Sequence, residues 1–190
     1  MASPMTHCFV GFLGARAASM RRLYLVSLFC SALPDIDGFI TRFAARLFGL
    51  RLDGPLWSHR GFSHSLLFAL LVGIGAAFYT QRLLRYEKPL SLLILYFFAL
   101  TASHGLIDAI THGGEGVMFF SPFHGGRYLF PFGPVPTARI REWFGKQGLI
   151  TFAHEVLWIW LPLTMAYGGL QLLRKGKALR SRLCTVGKDE

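Results

Sequence analysis

Three stretches of this chain are long and apolar enough to cross a bilayer, and they constrain the fold more than any other feature. Crossing a hydrocarbon core of about 30 Å takes about 20 mostly apolar residues in a helix. Phe62–Thr80 supplies 19 residues with one His and no formal charge. Leu90–Ile107 supplies 18, and Leu149–Leu173 supplies 25 with His154 and Glu155 near its start. The composition agrees: 53% of the 190 residues are hydrophobic, only 16% are charged, and the mean hydropathy is +0.43. A soluble domain carries about 25% charge. Disorder, coiled coil and an ordinary soluble enzyme are therefore excluded.

The N-terminal part is less regular. Met5–Ala15 and Leu23–Leu33 are apolar runs of 11 residues each, separated by Arg16, Arg21 and Arg22. Neither crosses alone. The two solutions are a helical hairpin with its basic tip at Arg16–Arg22, or one long tilted helix with snorkelling arginines. The expected fold is all-α: a polytopic membrane helical bundle with that hairpin or long helix and three further spans. Residues 1–173 form the membrane-embedded domain, and 174–190 a basic, flexible tail. Pro34–Gly61 and the Gly- and Pro-rich Gly113–Gly148 read as loops. A loop as long as the second is uncommon unless functional.

The formal net charge is +10. In a membrane chain basic loops mark the cytoplasmic side. No basic, aromatic-interleaved soluble segment exists, so nucleic-acid binding is not expected. With the tail after Leu173 inside, that side collects 12 Lys and Arg against 8 opposite. Cys8, Cys30 and Cys184 are odd in number and widely spaced, which gives neither a disulfide framework nor a Cys-based zinc site. The first basic residue is Arg16, so no cleaved signal peptide is expected.

The same sorting brings ligand-type residues to one end of the bundle. Asp35 and Asp37 follow the second short run; His59 and His64 open one span; His104, Asp108 and His112 close the next; His154 and Glu155 open the last. His104 and Asp108, four apart, share one helix face. That spacing suits two ligands of one metal, or a carboxylate bridging two. His112 continues the face but stands at the Gly113-Gly114 break. His59 and His64, five apart, align only if Gly61 interrupts the helix, and Ser63 is a candidate cap there. His154-Glu155 begins like HExxH, but no second His follows, so a protease of that pattern is rejected. A Glu inside an apolar span is costly and is a functional candidate by default. Two carboxylates spaced by one residue in a turn diverge, which allows Asp35 to ligate and Asp37 to act as general base. Arg60 and Arg127 are candidates for holding an anionic substrate.

Several of these stretches stand together in a recognisable order. Met5-Thr6-His7, Leu33-Pro34-Asp35-Ile36-Asp37, His59-Arg60-Gly61-Phe62-Ser63-His64-Ser65 and Ser103-His104-Gly105-Leu106-Ile107-Asp108 are followed by Gly113-Gly114-Glu115-Gly116-Val117, Ser121-Pro122-Phe123, Arg127-Tyr128-Leu129-Phe130-Pro131 and Glu155-Val156-Leu157-Trp158-Ile159-Trp160-Leu161-Pro162. This series resembles the YdjM-like family, whose members are described as inner-membrane, metal-dependent hydrolases. That family is distantly similar to zinc-dependent phospholipase C and single-strand zinc nucleases. The resemblance implies a bacterial inner-membrane location and a multinuclear site, and it adds His7 and Glu155 to the ligand set. The expected metal ligands are thus His7, Asp35, His59, His64, His104, Asp108 and Glu155. Asp37, Arg60 and Arg127 serve catalysis or substrate. Imidazole and carboxylate without thiolate suit zinc, with manganese or iron as alternatives. The expected substrate is a small-molecule or lipid phosphoester, met from the periplasmic side. The alternative is a non-catalytic membrane protein with a structural or transported metal ion.

Overall fold

The computed structural model describes residues 2–49, 54, 57–112, 114–138 and 142–186. Gly113 of the Gly-rich motif and the end of the basic tail lie outside the described residues. The architecture is helical, as expected, with one two-residue strand pair. Among the described residues three helical stretches are long and apolar enough to span a membrane: Arg21–Phe48, Leu90–Ala109 and Lys146–Ala178.

Helix α1 (Pro4–Ala17) starts where Ser3 Oγ accepts the Thr6 N–H at 3.1 Å, with Pro4 in the first turn. It ends at a turn in which Ser19 takes φ +58°. A short 3-10 turn (Arg21–Leu23) leads into α2 (Tyr24–Ala32), which packs back on α1. The N-terminal segment is therefore the hairpin, not the single long helix. Gly11 permits it: a Cβ there would lie 2.6 Å from the Ser27 carbonyl oxygen and 3.0 Å from Leu28 Cα.

Pro34 ends α2, because proline lacks the amide donor and its ring clashes with the preceding turn. A 3-10 turn (Leu33–Ile36) redirects the chain into α3 (Asp37–Phe48). This helix corrects the expectation of a loop from Pro34 to Gly61. Its signal was in the sequence: Phe39, Ile40, Phe43 and Leu47 recur at helical spacing, and Gly49 caps the end with φ +64°. All four apolar side chains are exposed, and Phe39 stacks on Phe43.

Helix α4 (Leu66–Arg82) begins four residues later than the expected Phe62 span, because Ser65, not Ser63, is the cap and accepts the Phe68 N–H. At 17 residues it is a shorter apolar helix, so the expected Phe62–Thr80 span is not one of the three spanning stretches. It pairs with α5 (Leu90–Ala109). Gly73 sits where a Cβ would meet the Phe98 amide nitrogen at 2.8 Å and the Ile94 carbonyl at 3.0 Å. Lipid is as apolar as leucine, so close backbone approach rather than hydrophobic burial drives such pairs together. The core of Met20, Leu23, Cys30, Ala77, Leu93, Phe97 and Leu100 lies toward the basic-tip end of the bundle.

The last helical stretch comprises α6 (Lys146–Glu155), a π turn (Val156–Trp160) and α7 (Leu161–Val186). Phe9 stacks on Trp160 at 4.2 Å, which fixes α1 against this stretch. The segment from Gly114 to Ala138 is mainly irregular, as expected. Strands β1 (Thr111–His112) and β2 (Val135–Pro136) pair in parallel, Thr111 opposite Val135. Met118 donates to the Arg60 carbonyl, Leu66 to the Phe119 carbonyl and Phe130 to the Ala109 carbonyl. These bonds bind the segment over the ends of α4 and α5.

Gly73→Leu should destabilise the protein by about 1–3 kcal/mol, because the added side chain meets backbone rather than a movable side chain. Gly169→Leu, with open space around its Cβ, should be near neutral. Thermal unfolding of both variants in the same detergent checks this; equal midpoints would refute the close-approach argument.

Candidate metal centre

Four elements converge at the α1 start, the α2–α3 bend, the α4 start and the α5 end. Asp35 comes from the 3-10 turn after α2, His64 from the 3-10 turn before α4 (Phe62–His64), and His104 and Asp108 from α5. Their ligand atoms all lie within 4.8 Å of one another, a spacing that one metal ion could satisfy. A second group, Asp37, His59 and His64, shares His64 with the first.

The hydrogen bonds fix which atoms face inward. His104 Nδ1 donates to the Ser31 carbonyl at 2.8 Å. Its Nε2 therefore carries the lone pair, and it stands 3.4 Å from Asp35 Oδ1. Ser63 Oγ donates to Asp37 Oδ2 at 2.7 Å, which leaves the Ser63 hydroxyl oxygen to accept from His64 Nδ1 at 2.9 Å. His64 Nε2 is thereby turned to the interior, 3.6 Å from Asp108 Oδ2 and 3.9 Å from Asp35 Oδ1. A ring nitrogen held by a hydrogen bond so that its partner faces a metal is the common device of metal-binding histidines.

The inward atoms lack partners. His64 Nε2, His104 Nε2, both oxygens of Asp35 and both nitrogens of His7 are buried without a hydrogen bond. Leaving a buried polar group unsatisfied costs about 1–3 kcal/mol, and more when it is charged. These six orphans of ligand type in one place fit a divalent cation; the Arg60 Nη1 beside them is also without a partner. His7 lies against the group: its ring stacks on His104 at 3.5 Å and its Nε2 is 3.7 Å from Asp108 Oδ1.

Asp108 is fully buried and already well held. Arg60 Nε donates to Oδ2 at 3.0 Å, and the Ala2 amide donates to Oδ1 at 2.9 Å. Arg60 is itself only 2% exposed, and its Nη2 donates to Thr111 Oγ1 at 2.7 Å. The guanidinium thus fixes a carboxylate of the cluster, and the Arg60 backbone stands at φ +63°. Arg127 lies outside the cluster: it donates to Ser58 Oγ and to the Gly116 and His59 carbonyls, and pairs with Glu115.

Glu155 is brought to the N-terminus rather than among the four-residue group. It is fully buried and accepts from the Ser3 amide, Ser3 Oγ and Thr6 Oγ1 at 2.5–2.6 Å. Trp160 Nε1 adds a bond to Thr6 Oγ1 at 2.8 Å. The π turn that follows Glu155 re-registers the helix so that Glu155 and Trp160 both reach this network. Glu155 therefore holds the segment that carries His7. His59 stands at the rim, its side chain 39% exposed, with Nδ1 3.1 Å from Asp37 Oδ1. His112 is exposed in β1, and His154 Nδ1 donates to the Ile150 carbonyl; neither joins the groups. Sequence reasoning missed Ser3, Thr6, Ser31 and Thr111. A backbone carbonyl such as that of Ser31 leaves no trace in a sequence.

A helical membrane bundle with a buried His/Asp group able to bind a metal ion is the class that fold and site define. The family model described as "YdjM inner membrane protein" matches residues 1–178, and the chain belongs to that family. It is 30% identical over 159 residues to inner membrane protein YbcI of Escherichia coli (strain K12), covering 81% of this chain and 86% of that protein. No solved structure matches. The protein is accordingly an inner membrane protein.

His104→Ala and Asp35→Ala should each lower bound transition metal in the purified protein by about tenfold or more, since loss of even an outer-shell partner of a ligand costs about 10–100-fold in affinity. His112→Ala and His154→Ala should keep it. Elemental analysis of the four variants decides; wild-type content in the first two would refute the centre.

Proposed function

We propose that the protein is a membrane-embedded, metal-dependent hydrolase of phosphoesters, with zinc as the metal and manganese or iron as alternatives. The observation that carries this reading is the set of orphaned imidazole and carboxylate atoms facing one point. It is an N/O donor set without thiolate, and it has an exposed edge at Asp37 and His59, where the His59 side chain is 39% exposed. A closed structural site would leave no such opening. The proposed ligands are His7, Asp35, His64, His104 and Asp108, with His59 at the rim beside Asp37.

A divalent ion held there would lower the pKa of a water molecule and polarise a phosphoryl oxygen. The reaction consumes one water: its oxygen bonds to phosphorus as the ester P–O bond breaks, and one proton passes to the departing alcohol. Asp37 is the base in this reading. Its Oδ2 accepts from Ser63, and its Oδ1 faces His59 at the exposed rim. A proton taken by Asp37 can leave through His59 to water. Arg60 acts as a positioning residue, holding Asp108 for ligation, and Glu155 does the same for His7. Arg127 orders the Ser58–His59 backbone at the rim.

We also assign the site layer to the periplasmic side. The excess of basic residues at the opposite end supports this, as do the exposed aromatics of the site end: Trp57, Phe120, Phe123 and Trp158 fit an interfacial belt.

Asp37→Asn should keep most of the metal and lose 10²–10⁴-fold in turnover, the usual contribution of a general base. Asp35→Asn should lose both metal and turnover. Metal stoichiometry and hydrolysis of bis(p-nitrophenyl) phosphate by the same detergent-purified variants separate the two. Full activity in Asp37→Asn would remove it from the chemistry, and metal-loaded wild type that hydrolyses no phosphoester would favour a structural or transported ion. For sidedness, an alkaline phosphatase fused after residue 178 should be inactive; an active fusion would invert the assignment.

A further inference from the structure

Two apolar grooves run along the outside of the bundle from the level of the centre toward its basic-tip end. One, of about 440 Å³, lies among α1, α5 and α7 and reaches Ser103 at its upper end. The other, of about 600 Å³, lies between α2 and α4. Leu25 and Phe29 of α2, with Leu33 of the 3-10 turn that follows, form one wall, and Val72, Gly75 and Tyr79 the α4 wall.

The two differ in what stands at their upper ends. Behind Ser103 and Val10 of the first are His104 and His7, whose side chains are buried to within 1% of completely. That approach to the centre is sealed. Above Leu33 of the second, two and four residues on, come Asp35 and Asp37, whose side chains keep 12% and 11% exposure. Asp37, beside the 39% exposed His59, is the carboxylate at the open edge of the centre, and Asp35 lies behind it with both oxygens buried.

We infer that the α2–α4 groove holds one hydrocarbon chain of a phosphoester lipid whose phosphate lies at the open side of the metal centre. This rests on the hydrolase reading given above and names its substrate class. The groove is walled by side chains without charge, and its one polar group, the Tyr79 hydroxyl, comes at the far end from the centre. Leu25 to Leu33 spans about 12 Å at 1.5 Å per residue. That accommodates a run of chain methylenes but no polar head. The chain lies in the membrane, so the groove opens to acyl tails and not to water. Gly75 is what keeps it open: its Cβ position has nothing within 4 Å. Beyond Leu33 the 3-10 turn carries the backbone past the bend to Asp35, a gap suited to the polar backbone of a lipid between its chain and its phosphate. Above it, the exposed Ile36, Phe39 and Ile40 at the start of α3 continue the apolar surface to the rim of the site.

Transfer of a chain from lipid to such a groove gains no hydrophobic free energy, because both are hydrocarbon. The groove therefore acts by orientation: it holds the ester at the centre and selects for chain length.

The test uses the full chain in nanodiscs, loaded with zinc, with dioleoyl phosphatidylglycerol and dibutyryl phosphatidylglycerol as substrates and a doxyl-labelled phosphatidylglycerol as a binding probe. Gly75→Phe fills the groove, and Gly169→Phe makes the same change at another open position of the bundle. The ratio of kcat/KM for the long-chain over the short-chain substrate should fall at least tenfold in Gly75→Phe and hold in Gly169→Phe. The immobilised fraction of the spin-labelled lipid should fall in Gly75→Phe alone. Val72→Trp, which fills the groove from the same wall, serves where Gly75→Phe does not fold, as judged by metal content. Wild type that hydrolyses the dibutyryl but not the dioleoyl substrate would overturn the groove assignment and leave the hydrolase reading standing. Wild type that hydrolyses neither, but loses immobilised lipid in Gly75→Phe, would overturn the hydrolase reading and keep the groove as a lipid site. Equal immobilisation in wild type and Gly75→Phe would overturn the groove.

Discussion

Asp108 is a carboxylate with no exposure to solvent, near the end of an apolar helix, and much of the site end is arranged around it. Burying such a group without compensation costs several kcal/mol. Compensation comes from a donor on Arg60 and a backbone amide at Ala2, while the Nε2 atoms of His7 and His64 stand 3.7 and 3.6 Å away without a hydrogen bond. Each partner belongs to a different part of the chain. Meeting the needs of one carboxylate therefore ties the N-terminus, the α3–α4 connection and α5 together. The buried Arg60 in turn takes a left-handed backbone conformation and binds Thr111 just beyond α5. A polar knot of this kind supplies directionality that apolar packing in lipid does not.

A second buried carboxylate does similar work on the other side. Glu155 collects three donors from Ser3 and Thr6 and so pins α1 against the last helical stretch. His7 sits one residue beyond Thr6 and is thereby brought to stack on His104. The two knots leave a division of labour: Arg60 and Glu155 satisfy charge and position backbone, while the inward-facing atoms of His7, Asp35, His64 and His104 are left without partners. The contrast between satisfied and unsatisfied groups within one layer is the physical argument for a cation. It also explains how a bundle that includes a short apolar helix, the 17-residue α4, holds a defined geometry at its end.

The helical hairpin, α4, α5 and the last span were legible because each is an apolar run bounded by charge, Pro or Gly. The α3 helix was legible too, through the spacing of Phe39, Ile40, Phe43 and Leu47, but Asp35, Asp37 and the arginines in the same stretch gave it the composition of a loop. The start of α4 was set by which of two serines caps it, a choice decided by backbone direction after Gly61 rather than by residue type. Ligand-type residues could be sorted to one end because spans alternate in direction. That sorting operates at the resolution of a layer, some helical turns thick, and it could not separate Asp35 from Glu155.

By itself the sequence determined that the chain is a helical membrane protein, that its His and Asp residues gather at one end, and that His104 and Asp108 share a face. These follow from hydropathy and from the 3.6-residue period, which are local properties. Only the tertiary structure decided that Arg60 is buried against Asp108, that Arg127 braces the Ser58–His59 backbone, that Glu155 holds Ser3 and Thr6, and that His112 stands outside. Those outcomes depend on contacts between distant parts of the chain, from 48 positions apart for Arg60 with Asp108 to 152 for Ser3 with Glu155. No local rule encodes them, because a buried ionisable group is satisfied by whichever donor the packing of distant helices brings within reach.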